Sequence, residues 1–471
     1  MRQRFVLLMA VLAPLAVVWS LTNPMFASPD EPAHMARAQG FSRFDCTPPY
    51  ETDGLPLNAP ECFRFRAEMT ADCADYTWGT DGAEVDTKTR DYPPLFHAVA
   101  AVPAVFVGGL TGAYVMRIWM GLVCCALLAW AGALWIRPGR GRWPVVGFAL
   151  ALTPMAVFVS STVNPSGITA AFSLLVVAGV VARWVYHDRG RAIRWAVGVG
   201  LPGLVLVRRD GVLWVAILVV VLLPIVLADA DTRARLRGLD PRRWTARSRA
   251  IVLLGLLGTV VIAALWIVPV LYRFFTTGEV GGNGSRWQGI EVLRIDVDHM
   301  IGTFGWIDTY IGQEAFAIAS GVCLLVVLTG LAGGRRDFVA AQILSLLALF
   351  ATPVVFGMFL YPYFQGRYML PMWVIVAVVS ALSVGSSDVG ARTSGRLVVV
   401  VLTLWWVVHV WSLVQNLRRY AVGFRGSWRF VATSAWHPPM MSNLVAVASI
   451  AVAAGVSALA MRRVIAVADG R

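Results

Sequence analysis

Long apolar segments separated by short polar ones dominate this chain. Runs of about 18 to 23 apolar residues recur along its length, and a helix needs about 20 such residues to cross the hydrocarbon core of a bilayer. The pattern predicts an all-α, polytopic membrane protein with a single membrane domain over residues 1–471. The candidate crossings are about 5–22, 93–112, 114–136, 143–163, 166–186, 194–207, 212–228, 250–272, 315–332, 338–360, 368–386, 397–415 and 440–461.

The charge pattern does not agree with thirteen crossings in strict alternation. The first segment carries Arg2 and Arg4 ahead of it and ends in a poor cleavage site, so we interpret it as a retained helix with a cytoplasmic N-terminus. Strict alternation would then place the Arg-rich loop 233–249 outside, against the positive-inside rule. Anchoring that loop in the cytoplasm requires one earlier segment not to span, and the pair 93–136 and the short 194–207 segment are the candidates. The prediction is a core of 12 or 13 crossings.

On that topology four loops share the outer face. The first outer loop, 23–92, is predicted to carry juxtamembrane helices and holds 13 of the 27 acidic residues, and 273–313 is the second outer loop. The loops 361–367 and 416–439 and the turns near Asn164 and Asp210 join them. Residues 31–41 have helical character, which would place Asp30 and Glu31 one turn from His34.

Composition excludes several classes of protein. The chain is 58% hydrophobic and 14% charged, and its net charge of +13 comes almost wholly from Arg in short loops, where the positive-inside rule accounts for it. Nucleic-acid binding is therefore not predicted. Cys124, Cys125 and Cys323 lie in apolar runs and are expected to be inert, whereas Cys46, Cys62 and Cys73 in the first outer loop would allow one disulfide.

The candidate chemistry lies at the membrane exits. Asp30 and Glu31 are adjacent carboxylates beside the first segment, and ionised groups at a bilayer boundary are functional hints. The loop 361–367, between the predicted crossings 338–360 and 368–386, carries polar residues as well. Each of these also has a structural explanation, since interfacial Tyr, Trp and Arg are common anchors and Asp is a common helix cap. The further candidates are His34, Asn164, Trp306, Asp308, Gln365, Arg367, Tyr368, Arg418 and Arg419, with Arg208 and Arg209 added if their turn is exterior.

Five motifs carry a resemblance to a known family. They are Ser28-Pro-Asp-Glu-Pro-Ala-His34, Asp91-Tyr-Pro-Pro-Leu95, Asn164-Pro-Ser-Gly167, Phe304-Gly-Trp-Ile-Asp-Thr309 and Gln365-Gly-Arg-Tyr-Met-Leu-Pro371. Over about residues 5 to 430 the chain resembles the bacterial polytopic membrane family called domain of unknown function 2142. The acidic pair at the first exit, the large first loop and the Pro-Pro start of the next segment also resemble GT-C glycosyltransferases such as protein mannosyltransferases and aminoarabinose transferases.

The resemblance implies a GT-C-like helical bundle in the bacterial inner membrane with its active site on the outer face. It implies transfer of a sugar from a polyprenyl-phosphate lipid to a cell-envelope glycan or lipid acceptor. Asp30 matches the general base, Glu31 its partner, and Arg367 suits the phosphate because its planar fork binds oxyanions in pairs. No cofactor is expected. A divalent cation on Asp30, Glu31 and His34 is an alternative, as are a transporter or flippase of a lipid-linked sugar and an oligosaccharide polymerase or ligase.

Overall fold

The computed structural model describes most of the chain. The described residues are 1–44, 50–52, 56–77, 83–85, 88–237, 288–355, 364–392 and 395–470. Several predictions fall outside them: the crossing 250–272, residues 238–249 of the Arg-rich loop, residues 273–287 of the second outer loop, and Cys46, Tyr361 and Tyr363.

Helices form nearly all of the regular structure in the described residues. Two short antiparallel pairs are the strands, Tyr50–Thr52 with Ala83–Val85 and Thr303–Phe304 with Thr309–Tyr310. The helices are Arg2–Thr22, Glu31–Ser42, Leu95–Ala101, Gly109–Trp135, Trp143–Ala151, Pro154–Ser160, Pro165–Val180, Arg191–Val207, Gly211–Ala228, Ala230–Arg237, Gln288–Gly302, Gln313–Gly333, Arg336–Val355, Leu370–Gly385, Asp388–Arg392, Gly395–Val422, Phe430–Thr433 and Asn443–Ala468. The prediction of an all-α, multi-pass membrane protein is confirmed.

The described helices run back and forth between two ends of a bundle. Among the described residues, nine helices are long and apolar enough to cross a membrane, and the bent pair Trp143–Ala151 and Pro154–Ser160 makes ten if it is one span. One end, here the Asp30 end, is marked by the contact from Asn164 to the carbonyl of Pro29. The other, the Arg142 end, is marked by the ion pair of Arg142 with Asp469.

The structure corrects one predicted crossing and explains the conflict with the charge rule. The segment 93–112 is not one span: it breaks into the helix Leu95–Ala101, a 3-10 turn Val102–Val105 and the start of the long helix Gly109–Trp135. Trp119 donates a hydrogen bond back to the carbonyl of Val99 at 2.9 Å, so the short helix lies at the Asp30 end beside the helix that follows it. The prolines at 93, 94 and 103 suit a broken segment, because proline removes a backbone donor and bends a helix.

Two central helices carry polar residues to the Asp30 end. The spans Pro165–Val185 and Gly366–Gly385 are 83% and 89% buried inside the protein, so they form the middle of the bundle rather than its lipid surface. The first begins at an N-cap, Asn164, whose side chain accepts a hydrogen bond from the backbone of Ser166, with Pro165 at the first helical position. The second begins at Gly366, which places Arg367 in its first turn. Rigid helix ends therefore fix both positions.

The described part of the first outer loop folds over the Asp30 end. Cys62 and Cys73 form a disulfide there, which is one of the pairings that the sequence left open for this loop. The predicted inert cysteines, Cys124, Cys125 and Cys323, are free and buried.

Candidate active site at the Asp30 end

Asp30 stands at a strained turn with its carboxylate left free of helix capping. It is the N-cap of the helix Glu31–Ser42, yet its φ is +62° and its side chain makes no capping hydrogen bond. Asp tolerates the left-handed region better than most residues, and strain of this kind concentrates at functional sites. Half of the side chain, 51%, is exposed to solvent. The turn therefore presents a carboxylate that a substrate can reach.

Arg367 holds this carboxylate. Its guanidinium forms an ion pair with Asp30 Oδ2 and donates to the carbonyl of Pro29 at 3.0 Å and to the hydroxyl of Tyr368 at 3.1 Å. Burial alone would raise the pKa of Asp30, but the charges of Arg367 and Arg208 outweigh it and hold the pKa below its ordinary value. Asp30 is therefore ionised at neutral pH.

A second arginine lies against the same tyrosine. The guanidinium carbons of Arg208 and Arg367 are 4.6 and 5.1 Å from the ring centroid of Tyr368. Arg208 is fixed by hydrogen bonds to Asp210 at 2.8 Å and Ser166 at 2.9 Å. Two positive charges around one aromatic ring, at the rim of an apolar bundle, form a site that favours an oxyanion.

Glu31 does not share the solvent-accessible site with Asp30. Its carboxylate is fully buried and accepts hydrogen bonds from two nitrogens of Arg117, from Nε at 2.7 Å and from Nη2. The backbone N–H of Val163 also donates to it, at 3.1 Å. Arg117 also donates to the carbonyls of Asn23 at 2.7 Å and Pro24 at 2.8 Å. This pair therefore clamps the start of the 23–31 turn to its end and positions Asp30.

His34 packs against a second histidine. Its Nδ1 lies 3.1 Å from Nε2 of His97, and its ring meets that of Tyr92 edge-on at 5.2 Å. Burial lowers the pKa of His34 to about 3, so the imidazole is neutral at physiological pH. The predicted shared face does not include Glu31, whose side chain pairs with Arg117, whereas Asp30 and His34 are close enough to interact electrostatically.

This arrangement does not fit the cation considered for those three residues. In the described part of the chain no three His, Cys, Asp or Glu side chains group as metal ligands. Two of the three proposed ligands are engaged elsewhere, Glu31 with Arg117 and His34 with His97.

Arg419 and Asp308 form a separate network under the disulfide loop. Arg419 is fully buried, pairs with Asp308 at 2.8 Å and donates to the carbonyls of Phe63, Arg66 and Met69. Trp306 donates to the carbonyl of Phe26 at 2.9 Å, and Arg64 covers its ring at 5.1 Å. These contacts tie the loop to the bundle, so these residues hold the loop in position.

Arg418 is occupied in a similar way. It donates to the carbonyls of Phe424 and Gly426, and its guanidinium lies 4.2 Å from the ring centroid of Trp428. It therefore folds the turn that follows its own helix. Asn164 likewise joins two segments, because its amide donates to the carbonyl of Pro29 at 2.9 Å.

Gly366 lets the Arg367 segment pack directly on the helix Gln288–Gly302. A Cβ at this position would lie 1.9 Å from the carbonyl oxygen of Asp296 and 2.6 Å from the backbone nitrogen of Met300. Those are backbone atoms and cannot turn away, so the close approach requires glycine.

We expect Gly366→Ala to push Arg367 away from Asp30 and to lower thermal stability in detergent. Gly321→Ala is the matched control, since that helical glycine has no atom within 4 Å of the added Cβ and should lose nothing. Equal behaviour of the two variants would contradict the close packing at Gly366.

Sequence reasoning missed two residues of this site. Arg117 lies inside the predicted crossing 114–136, and a charged residue within an apolar run is itself the signal that could have identified it. His97 was not among the predicted site residues, and its partner His34 is 63 residues away in sequence. Arg208 gave only a weak signal, because its exposure depended on the topology of its turn.

Comparison with known proteins identifies a family. Residues 14–376 match the family model described as "Predicted membrane protein (DUF2142)". No curated protein matches the chain. Two solved structures of ArnT from Cupriavidus metallidurans are similar, one bound to undecaprenyl phosphate and one in the apo state. Both are 14% identical, with TM-scores of 0.46 and 0.45, and the match covers 98% and 96% of this chain and 76% and 74% of those chains. At these values the likeness assigns no substrate or residue role.

Proposed function

The chain belongs to the DUF2142 family of membrane proteins, and we propose that it is a GT-C-type membrane glycosyltransferase acting at the outer face of the bacterial inner membrane. It transfers a sugar from a polyprenyl-phosphate donor to a cell-envelope glycan or lipid acceptor. The observation that carries the proposal is the half-exposed Asp30 carboxylate, paired with buried Arg367 beside Arg208 at one end of an apolar bundle.

These residues suit both bond changes of an inverting sugar transfer, the bond that forms to the acceptor and the bond that breaks to the phosphate. Asp30 takes the proton of the acceptor hydroxyl as that oxygen forms a bond to the anomeric carbon. The bond from the anomeric carbon to the phosphate oxygen breaks on the other side, and the phosphate leaves with the electron pair. Arg367 and Arg208 stabilise the charge of that leaving group where it develops. Tyr368 and Gln365 flank Arg367 and complete the donor side.

Arg367 also links donor binding to the basicity of Asp30. The guanidinium pairs with Asp30 in the ligand-free protein. A donor phosphate competes for the same guanidinium, and weaker pairing raises the pKa of Asp30 toward its ordinary value. The base is thus strengthened when the donor is bound.

The charge of the turns supports the orientation. The Arg142 end holds many arginines in short connections, as the positive-inside rule requires of a cytoplasmic face. The Asp30 end is then the outer face, and the N-terminus, at the Arg142 end through the bond from Arg4 to the carbonyl of Ile136, is cytoplasmic. The arginines in those turns are Arg137, Arg140, Arg142, Arg189, Arg191, Arg335 and Arg336.

The deciding experiment is sugar transfer by the purified full-length protein from a panel of radiolabelled polyprenyl-phosphate sugars to envelope glycan and lipid acceptors. We expect transfer from at least one donor, and loss of that transfer in Arg367→Lys, since an ammonium cannot reproduce the paired hydrogen bonds of Arg367. Movement of labelled lipid across vesicles without any transfer would identify a flippase instead. Transfer only from diphosphate-linked donors would identify a polymerase or ligase.

We expect this transfer to continue in excess EDTA. The Asp30 carboxylate is balanced by Arg367 rather than by a metal ion. Activity that EDTA abolishes and Mg²⁺ or Mn²⁺ restores would overturn the arginine-based assignment.

A further inference from the structure

A small pocket lies beside Arg367, between the helix Gln288–Gly302 and the turn at Pro29. Its accessible surface is mostly apolar, with Met155 and Ile307 in the lining, and four polar residues also line it: His299, Thr303, Gln365 and Arg367. Its volume is about 10 Å³, which is room for one water-sized group. The pocket opens next to the guanidinium that holds Asp30.

The polar atoms around this pocket have no hydrogen-bond partners. They are Nδ1 of His299, Oγ1 of Thr303, Oε1 of Gln365 and Nε of Arg367, joined by both carboxyl oxygens of Asp296 one turn earlier on the same helix. Asp296 and Thr303 are 1% exposed, Arg367 3% and His299 8%. Buried polar groups are almost always paired, so this concentration indicates a ligand group that completes them.

The helix and the close contact of Gly366 produce the arrangement. Asp296 and His299 lie on one face of the helix at a spacing of three residues, and Thr303 follows directly after the helix ends at Gly302. The approach of Gly366 to the backbone of Asp296 brings Gln365 and Arg367 against that face. No single segment contains the pocket, which forms from three parts of the chain.

The set of free atoms contains both donors and acceptors. Arg367 Nε can only donate, Gln365 Oε1 can only accept, and the Thr303 hydroxyl does both. Burial raises the pKa of Asp296 to about 7, so near neutrality its carboxyl also supplies a proton to share. A hydroxyl group matches this mixture, whereas a phosphate, which mainly accepts, would leave the Gln365 oxygen unpaired.

We propose that this pocket is a hydroxyl subsite for the sugar of the lipid donor, in which one sugar hydroxyl takes the place of a water molecule and bonds to Thr303, Gln365 and Arg367 Nε. The inference rests on the proposed function and adds a determinant of sugar choice. The donor sugar is the occupant because Arg367 belongs to both regions: its Nη2 pairs with Asp30, and its side chain lines the pocket. A donor whose phosphate lies on Arg367 carries its sugar within reach of both.

The first test measures binding to the full-length protein in nanodiscs. The probes are undecaprenyl-phosphate glucose, mannose and galactose, with undecaprenyl phosphate as the sugar-free reference. We expect wild type to bind at least one sugar lipid about tenfold more tightly than the reference. Thr303→Val should remove most of that preference and leave the reference affinity unchanged. Thr329→Val is the matched control, since its hydroxyl bonds only to its own helix at the carbonyl of Leu325.

The second test identifies the hydroxyl. Analogues of the best-bound lipid, each with one sugar hydroxyl replaced by hydrogen, are titrated into wild type and Thr303→Val. One analogue should bind wild type about tenfold more weakly than the parent lipid does. It should bind Thr303→Val as tightly as the parent lipid does, because both changes remove the same hydrogen bond. Gln365→Leu should show the same coupling and serves as the second variant if Thr303→Val does not fold.

The outcomes separate this inference from the proposed function. Transfer without any coupling between analogue and variant, or no preference for any sugar lipid over the reference, would mean that the pocket holds a water molecule only and would overturn the inference. Coupling in binding without transfer would support the subsite and reject the transferase. Coupling together with transfer supports both.

Discussion

Asp30→Asn is expected to lower sugar transfer by about 10²–10⁴-fold while the protein folds and binds the donor normally. General-base catalysis contributes a factor of this size, and an amide cannot accept the proton. Asn suits the backbone, because it tolerates the φ of +62° at this position as well as Asp does. The measurement is kcat for the best donor, beside the affinity for undecaprenyl phosphate and the melting temperature in detergent.

Asp188→Asn is the matched control. Asp188 also pairs with an arginine, Arg137, at 2.8 Å and is partly exposed at 37%, but it lies at the Arg142 end. Its replacement should leave transfer unchanged. If Asp30→Asn transferred sugar at the wild-type rate, Asp30 would not be the general base, and another residue of the site would have to act as the base.

The pH dependence of the Asp30 reaction follows from its charge environment. Arg367 and Arg208 act against burial to hold the pKa of Asp30 below its ordinary value, and the neighbouring His34 is neutral because its pKa is lowered to about 3. Because the base is active when deprotonated, its activity is lost only as the pH falls through that lowered pKa. We therefore expect kcat/KM to stay flat from neutral pH down to about pH 5, which lies above the ordinary Asp value near 3.9. A fall between pH 7 and 6 would point to a different base.

Breaking the Glu31–Arg117 pair is expected to have the largest effect on stability. Both side chains are fully buried, and removal of one partner leaves an uncompensated charge in the bundle. Glu31→Gln and Arg117→Met should each lower the free energy of unfolding by about 3–5 kcal/mol. The measurement is denaturation by SDS in mixed micelles, followed by tryptophan fluorescence.

A double-mutant cycle separates the pair from its surroundings. The cycle uses Glu31→Leu and Arg117→Met, singly and together. The double variant removes both charges, so its loss of stability should be smaller than the sum of the two single losses. The double variant should still be less stable than wild type, because the carbonyls of Asn23 and Pro24 and the N–H of Val163 lose their hydrogen-bond partners. The exposed pair Arg189–Asp231, at 3.5 Å, is the control and should show no measurable change when Asp231 becomes Asn.

The cycle also distinguishes positioning from chemistry at Glu31. If Glu31 only positions the turn, then loss of transfer in Glu31→Gln should accompany loss of stability. A variant that is as stable as wild type and yet inactive would instead show that Glu31 takes part in proton transfer.

The sequence by itself determined the class of protein and the end of the bundle where chemistry concentrates. Apolar runs long enough to span a bilayer leave few alternatives to helices, because backbone groups in lipid must pair within their own segment. The charge rule required one segment before the Arg-rich loop not to span and left the pair 93–136 and the segment 194–207 as candidates. The structure breaks the segment 93–112, and its prolines suit that break. Asp30, Arg367 and Tyr368 were named from their place at membrane exits, and the fold brings all three together.

Only the tertiary structure decided which of the acidic and basic residues are exposed at the rim and which are paired inside the bundle. Asp30 and Glu31 are neighbours in sequence, but the turn at φ +62° sends one carboxylate to the rim and the other to Arg117 inside the bundle. Asp308 and Arg419 are 111 residues apart and neutralise each other beneath the disulfide loop. Periodicity and composition describe single segments, whereas ion pairs between helices depend on which faces meet after packing. For that reason the sequence predicted a set of polar residues, and the packing of the helices selected the members that can reach a substrate.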